Sequence, residues 1–110
     1  MRQYVIDELR PEDHKKLKRH LDERFGRSGI EGVYWIPIET DVLTDEQLGH
    51  TDCHPLCFAI DLEPGKFTGE LLVRTRNRIR CSCIDYATEA QRNRIIRFID
   101  TIFEELDITT

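Results

Sequence analysis

The sequence lacks several features that would place it in a specialised class of protein. It has no run of about 18 consecutive apolar residues, so we expect no membrane-spanning helix and no membrane partner. No basic-then-apolar leader is found at residues 1–9, so we expect a cytoplasmic protein rather than a secreted one. Internal repeats, low-complexity tracts and linkers are also missing, which favours a single domain that spans residues 1–110.

Charge is abundant but unevenly distributed. The chain carries 16 Lys and Arg against 21 Asp and Glu, for a net charge of −5. Residues 39–63 contain seven acidic and no basic residues, whereas residues 66–80 contain five basic residues and one acid, Glu70. This balance does not indicate a general polyanion binder, although a local basic cluster can still bind a phosphate or an acidic partner.

The first predicted helix covers residues 11–25. Pro11 suits the first turn of a helix, and Leu17, Leu21 and Phe25 recur at intervals of four residues. Gly26 is suited to the position after the last turn. These features predict an amphipathic helix with one buried face.

Two capping boxes predict the beginnings of further helices. Thr44 is followed three residues later by Gln47, which marks one or two helical turns. Thr88 and Gln91 have the same spacing, and a broad apolar face continues from there. We predict the second main helix over 88–105.

Three strands are predicted at 56–62, 67–75 and 79–85, in the order of a meander, with shorter extended segments at 4–9 and 33–38. This order predicts an α+β fold. An antiparallel sheet of four or five strands would carry the two main helices on one face.

The preferred strand register leaves apolar residues on the face of the sheet that no helix covers. The helix-covered face is predicted to contain Phe58, Ile60, Leu62, Phe67, Leu71, Val73, Ile79, Cys81 and Cys83. On the opposite face we place Trp35, Ala59, Leu72 and Ile84. A second copy of the chain would cover these four residues, so we predict a homodimer with its interface there.

A group of Cys and His residues predicts a zinc site. His50, Cys53, His54 and Cys57 have the short separations of chelating pairs, and both residue types are standard zinc donors. A duplicated Cys-x-x-Cys at the separation of a zinc finger is missing. Cys81 and Cys83 are expected to stay apart from this group, because Cys57 would lie two strands, or about 10 Å, from Cys81.

Nucleophilic catalysis by cysteine is a weaker alternative. Cys53 and His54 are adjacent, and a thiolate beside a histidine is the usual activated arrangement. Adjacent residues seldom face each other, however, and no glycine-rich oxyanion turn follows. We therefore assign no catalytic residue.

Alternating arginines form a candidate anion or partner site. They are Arg74, Arg76, Arg78 and Arg80, and guanidinium groups bind phosphate or carboxylate with two hydrogen bonds. No aromatic residue lies between Phe67 and Tyr86 to stack on bases, so nucleic acid is the less favoured ligand and an acidic protein partner is favoured.

The sequence alone therefore favours a small cytoplasmic interaction or regulatory module that is homodimeric and not an enzyme. One alternative is a zinc-binding protein that uses the loop at 50–57. The other is a nucleic-acid or phosphate binder that uses the hairpin at 74–80.

Overall fold

The computed structural model describes residues 2–26, 30–75 and 81–109. Three helices and six short strands form an α+β fold, which confirms the predicted class. The helices are α1 (Pro11–Phe25), α2 (Asp45–Gly49) and α3 (Glu89–Glu105). The strands are β1 (Gln3–Asp7), β2 (Val33–Pro37), β3 (Leu56–Glu63), β4 (Lys66–Glu70), β5 (Leu72–Thr75) and β6 (Asp85–Tyr86). Among the helices in these ranges, none is long and apolar enough to cross a bilayer.

Strand β3 is the centre of the antiparallel sheet. One of its edges pairs with β2, and the other pairs with β4 and then with β5. Strand β1 pairs with β4, and β6 pairs with β5, on the far side. The first two predicted meander strands pair as expected, with 67–75 divided into two strands. Of the third, predicted over 79–85, only its last residue lies in a described strand, β6.

The division falls at Leu71. From the pair Ile60 and Gly69 to the pair Cys57 and Arg74, β3 advances three residues and its partner advances five. The extra residues form an irregularity of the kind that bends a strand. The N–H of Leu71 donates to Arg2 O at 3.0 Å, and its carbonyl accepts from Ala87 N at 2.9 Å. Leu71 thus connects the segment just before β1 with the segment just after β6, on the same edge of the sheet.

Both main helices pack on one face of the sheet, as predicted. The hydroxyl of Tyr4 on β1 donates to Asp100 on α3, and that of Tyr34 on β2 donates to Asp22 on α1, both at 2.6 Å. The core between these layers consists of apolar side chains that include Leu17, Leu21, Ile60, Phe67, Val73, Ile95 and Ile99. Glycine at position 69 leaves room for Ile99, since a Cβ there would lie 2.5 Å from Ile99 Cδ1 and this side chain would have to shift.

Local sequence accounts for where the helices begin. Thr44 and Thr88 each accept the N–H of a glutamine three residues later, and the glutamine side chain bonds back to the threonine N–H. Both predicted capping boxes are therefore present. Helix α1 begins at Pro11 and is followed by Gly26, whose φ of +64° suits glycine.

The second face of the sheet is partly covered within the chain itself. Ala59 and Cys57 are buried, and the Arg74 guanidinium lies 4.8 Å above the Trp35 ring. Arg74 also forms an ion pair with Glu70 at 2.9 Å. Ala59 is thus less available to a partner than the prediction assumed, because this arginine lies over the neighbouring tryptophan rather than in solvent. Trp35, Leu72 and Ile84 are half-buried.

Candidate metal centre

Helix α2 and the 3-10 turn after it position two of the predicted ligands. The backbone N–H of His50 donates to Gln47 O, and that of Cys53 donates to His50 O at 2.9 Å. The 3-10 turn, Thr51–Cys53, places residues three apart on the same side. His50 and Cys53 therefore face the same region.

Two further cysteines reach this region from a turn. Residues 81–84 form the turn, with the N–H of Ile84 donating to Cys81 O at 3.0 Å. The strand predicted over 79–85 is observed only later, at Asp85–Tyr86, within the part of the chain that is described. Cys81 and Cys83 consequently both face His50 and Cys53, instead of remaining on a distant strand.

The four side chains form a His/Cys cluster, defined as His50, Cys53, Cys81 and Cys83. Their donor atoms all lie within 4.8 Å of one another. Cys53 Sγ lies 3.6 Å from Cys81 Sγ, and His50 Nδ1 lies 3.1 Å from the same sulfur. In a tetrahedral zinc site with Zn–S bonds of about 2.3 Å, neighbouring donor atoms are about 3.5 to 3.8 Å apart. The cluster could hold a metal ion with small side-chain adjustments.

The cluster has a buried side and an accessible side. Cys53 and Cys83 are 2% and 1% exposed, whereas His50 and Cys81 are half-buried. A surface depression of about 340 Å³ opens over His50, Cys53 and Cys81. An ion therefore has a path to the donor atoms.

The two cysteines of the turn differ in acidity. Hydrogen bonds from the backbone N–H and then the thiol of Cys83 lower the pKa of Cys81 to about 6. Burial, followed by the bond to Cys81, raises the pKa of Cys83 to about 12. Negative charge thus resides first on Cys81, the more accessible of the two sulfurs, where a cation can reach it.

Buried hydrogen bonds hold the backbone around the cluster. The amide nitrogen of Gln47 donates to Cys83 O at 3.1 Å, and its oxygen accepts from Gln91 Nε2 at 2.8 Å. The Thr75 hydroxyl donates to Cys53 O at 2.7 Å. Both cysteine-bearing turns are therefore fixed to regular secondary structure, which orients the ligands before any ion binds.

Of the four predicted metal ligands, the cluster contains His50 and Cys53. His54 Nε2 instead lies 2.8 Å from Gln47 O, and the Cys57 thiol donates to Pro55 O at 3.6 Å. The expectation that Cys81 and Cys83 stay apart from the loop is wrong, because it assumed a regular strand and used Cys57 as the reference point. Only the presence of two cysteines two residues apart signalled them in the sequence.

The arginine site is described at one position. Arg74 contacts Trp35 and Glu70, as given above, while Arg76, Arg78 and Arg80 lie outside the described residues, as does Ile79. Anion or partner binding by these arginines stays a prediction.

The fold and the site together define a small α+β domain with a His/Cys cluster that could bind a metal ion. Comparisons with protein-family models, curated proteins and solved structures find no match to this chain.

Proposed function

We propose that this protein is a zinc-binding interaction module, in which His50, Cys53, Cys81 and Cys83 hold one zinc ion. The observation that carries the proposal is the convergence of these four donor atoms, all within 4.8 Å of one another, from two separate turns. Residues 53 and 81 are far apart in the sequence, so their proximity is a property of the fold.

The donor types favour zinc. Three thiolates and one imidazole form a set that suits zinc, whereas Mg²⁺ and Ca²⁺ prefer oxygen ligands. Four protein ligands complete a tetrahedral site and leave no position for a substrate or an activated water. We therefore assign the ion a structural role and propose a non-enzymatic protein.

A structural ion here would join two turns that have few apolar side chains of their own. The 3-10 turn at Thr51–Cys53 follows α2, and the turn at 81–84 leads into β6. Zinc would fix one turn against the other and thereby the nearby surface of the module. This role agrees with a binding domain whose surface must be held in one conformation.

Matched variants test the ligand set. We expect His50→Ala and Cys81→Ser to lose stoichiometric zinc, measured by elemental analysis of protein purified with zinc and under reducing conditions. His54→Ala and Cys57→Ser remove the same residue types from nearby positions and should retain zinc. Substitution with Co²⁺ should give the absorption of a tetrahedral thiolate complex in the wild type and in these two controls.

The results separate the two ligand sets. Loss of zinc in His54→Ala and Cys57→Ser, but not in Cys81→Ser, would favour the loop set at 50–57. Wild-type protein without zinc under these conditions would overturn the proposed function.

We also propose that the module is a cytoplasmic homodimer that associates through the open sheet face, the face opposite the helices. Val5 and Tyr86, 40% and 49% exposed, lie on this face with Trp35 and Leu72. Arg2 lies over the Tyr86 ring and Arg74 over the Trp35 ring, so Val5 and Leu72 are the residues that support an apolar contact. Light scattering of wild type should give a dimer mass, and Val5→Asp with Leu72→Asp should give a monomer. Ile30→Asp, at a residue 65% exposed and outside this face, should stay dimeric. A monomeric wild type contradicts this proposal.

A further inference from the structure

Two sulfurs of the cluster are close enough to react with each other after a small movement. Cys53 Sγ and Cys81 Sγ are 3.6 Å apart, and a disulfide bond is about 2.05 Å long. Both residues lie in or beside turns, at Thr51–Cys53 and at 81–84, rather than in the middle of a helix or strand. The two sulfurs need to approach by only about 1.6 Å.

Their exposure differs in a way that separates two chemical roles. Cys81 is half-buried and lines the surface depression of about 340 Å³, so a small solute can reach its sulfur. Cys53 lines the same depression but is only 2% exposed. An accessible thiol that reacts first and a shielded thiol that resolves the product are the two parts of a redox-sensing pair.

We propose that the zinc site is also an oxidant-sensitive site, at which a small peroxide converts Cys81 and Cys53 to a disulfide and zinc is released. This inference rests on the proposed zinc-binding function. The class of substrate follows from the size and openness of the depression, which admits hydrogen peroxide or a small alkyl hydroperoxide to Cys81.

The chemistry balances in two steps. The Cys81 thiolate attacks one peroxide oxygen, the O–O bond breaks, and the products are a sulfenic acid at Cys81 and hydroxide, which takes up a proton from the buffer acid to give water. The Cys53 thiolate then attacks the Cys81 sulfur, the S–O bond breaks, and the leaving hydroxide is protonated. In sum, two thiolates, one hydrogen peroxide and two protons give one disulfide and two waters. The two sulfurs are oxidised, and the peroxide is reduced.

Zinc leaves because the disulfide removes two of its four donors. His50 and Cys83 alone cannot complete a tetrahedral set. Reduction of the disulfide by an added dithiol restores both thiolates, so the site should bind zinc again. Of the other two cysteines, Cys57 bonds to Pro55 O, outside the cluster. Cys83 is as shielded as Cys53, so the peptide mapping below decides which of the two pairs with Cys81.

The test uses zinc-loaded protein comprising residues 1–110, treated with hydrogen peroxide in the presence of a chromogenic zinc chelator. We expect release of one zinc per chain and loss of two of the four free thiols. Peptide mapping should identify a Cys53–Cys81 disulfide, and a dithiol with added zinc should reverse both changes. The Cys57→Ser variant should behave as wild type, which would show that Cys57, the buried thiol outside the cluster, takes no part in the disulfide.

A second variant tests the order of the steps. In Cys53→Ser the resolving thiol is absent, so Cys81 should accumulate as a sulfenic acid that dimedone labels, and no disulfide should form. Because this variant also loses a zinc ligand, metal-free wild type is treated in parallel and should still form the Cys53–Cys81 disulfide.

The outcomes distinguish this inference from the proposed function. Protein that binds one zinc but keeps it and all four thiols in peroxide would overturn the inference and leave zinc binding intact. A disulfide between other cysteines would also overturn it. If wild type binds no zinc, the proposed function fails. The metal-free sample then shows by itself whether peroxide joins Cys53 and Cys81 in a disulfide.

Discussion

Gln91 donates its side-chain amide to Gln47 Oε1 at 2.8 Å, which joins the capping residues of two helices inside the protein. Both side chains are buried, at 0% and 3% exposure. The Gln91 amide also donates to Val42 O at 3.0 Å, and the Gln47 amide donates to Cys83 O. A polar chain thus runs from the beginning of α3, through α2, to the cysteine turn.

Replacement of Gln91 by Met should destabilise the fold. The apolar side chain keeps a similar volume but removes the acceptor for Thr88 N and the donors to Val42 O and Gln47. We expect the free energy of unfolding in urea to fall by about 2 to 3 kcal/mol. Asn93→Ala, on the exposed side of the same helix, should change it by less than about 0.5 kcal/mol. Equal effects would show that the buried chain contributes nothing.

The contact between β4 and α3 predicts the effect of adding one methyl group. Gly69→Ala should lower the free energy of unfolding by about 1 to 3 kcal/mol, because the new Cβ would lie 2.5 Å from Ile99 Cδ1. Adding Ile99→Val removes that atom and should recover part of the loss. Gly65→Ala is the control, since nothing lies within 4 Å of a Cβ there. Strictly additive effects of the two core substitutions would contradict this packing.

The bond between Tyr4 and Asp100 predicts a loss of stability at high pH. It raises the pKa of Tyr4 from 10.0 to about 12, so the folded protein favours the protonated phenol. Its contribution to stability is complete below pH 10.0 and is lost as the pH rises towards about 12. The difference in unfolding free energy between wild type and Tyr4→Phe should shrink across this interval. A difference that stays constant with pH argues against the bond.

Removal of zinc should destabilise the wild type but not His50→Ala, a variant that lacks one of the proposed ligands. Zinc that binds only the folded state adds about 4 kcal/mol when its free concentration is about 1,000 times Kd. A chelator should therefore lower the thermal midpoint of wild type and of His54→Ala. In His50→Ala the midpoint should be the same with and without chelator. A chelator effect of full size in His50→Ala would exclude that residue as a ligand.

Much of the fold follows from signals that neighbouring residues provide. Pro11 and Gly26 border α1, and the two Thr and Gln pairs begin α2 and α3, because a capping bond joins residues three apart and needs no tertiary contact. Alternation along 56–62 correctly assigned Phe58, Ile60 and Leu62 to the helix-covered face, since a strand has a period of two.

The composition of the candidate site depended on tertiary structure. The sequence determined that cysteine and histidine are concentrated at 50–57 and that cysteine recurs at positions 81 and 83. Of the four ligands predicted from it, His50 and Cys53 belong to the cluster. Only the folded chain decided that His54 bonds to Gln47 O, and that a turn brings Cys81 to 3.6 Å from Cys53. The ligands come from two turns that are distant in the sequence. Their relative position depends on the buried side-chain amides of Gln47 and Gln91, which hold the backbone of the cysteine turn. Those contacts join residues 44 positions apart, so no local pattern in the sequence encodes them.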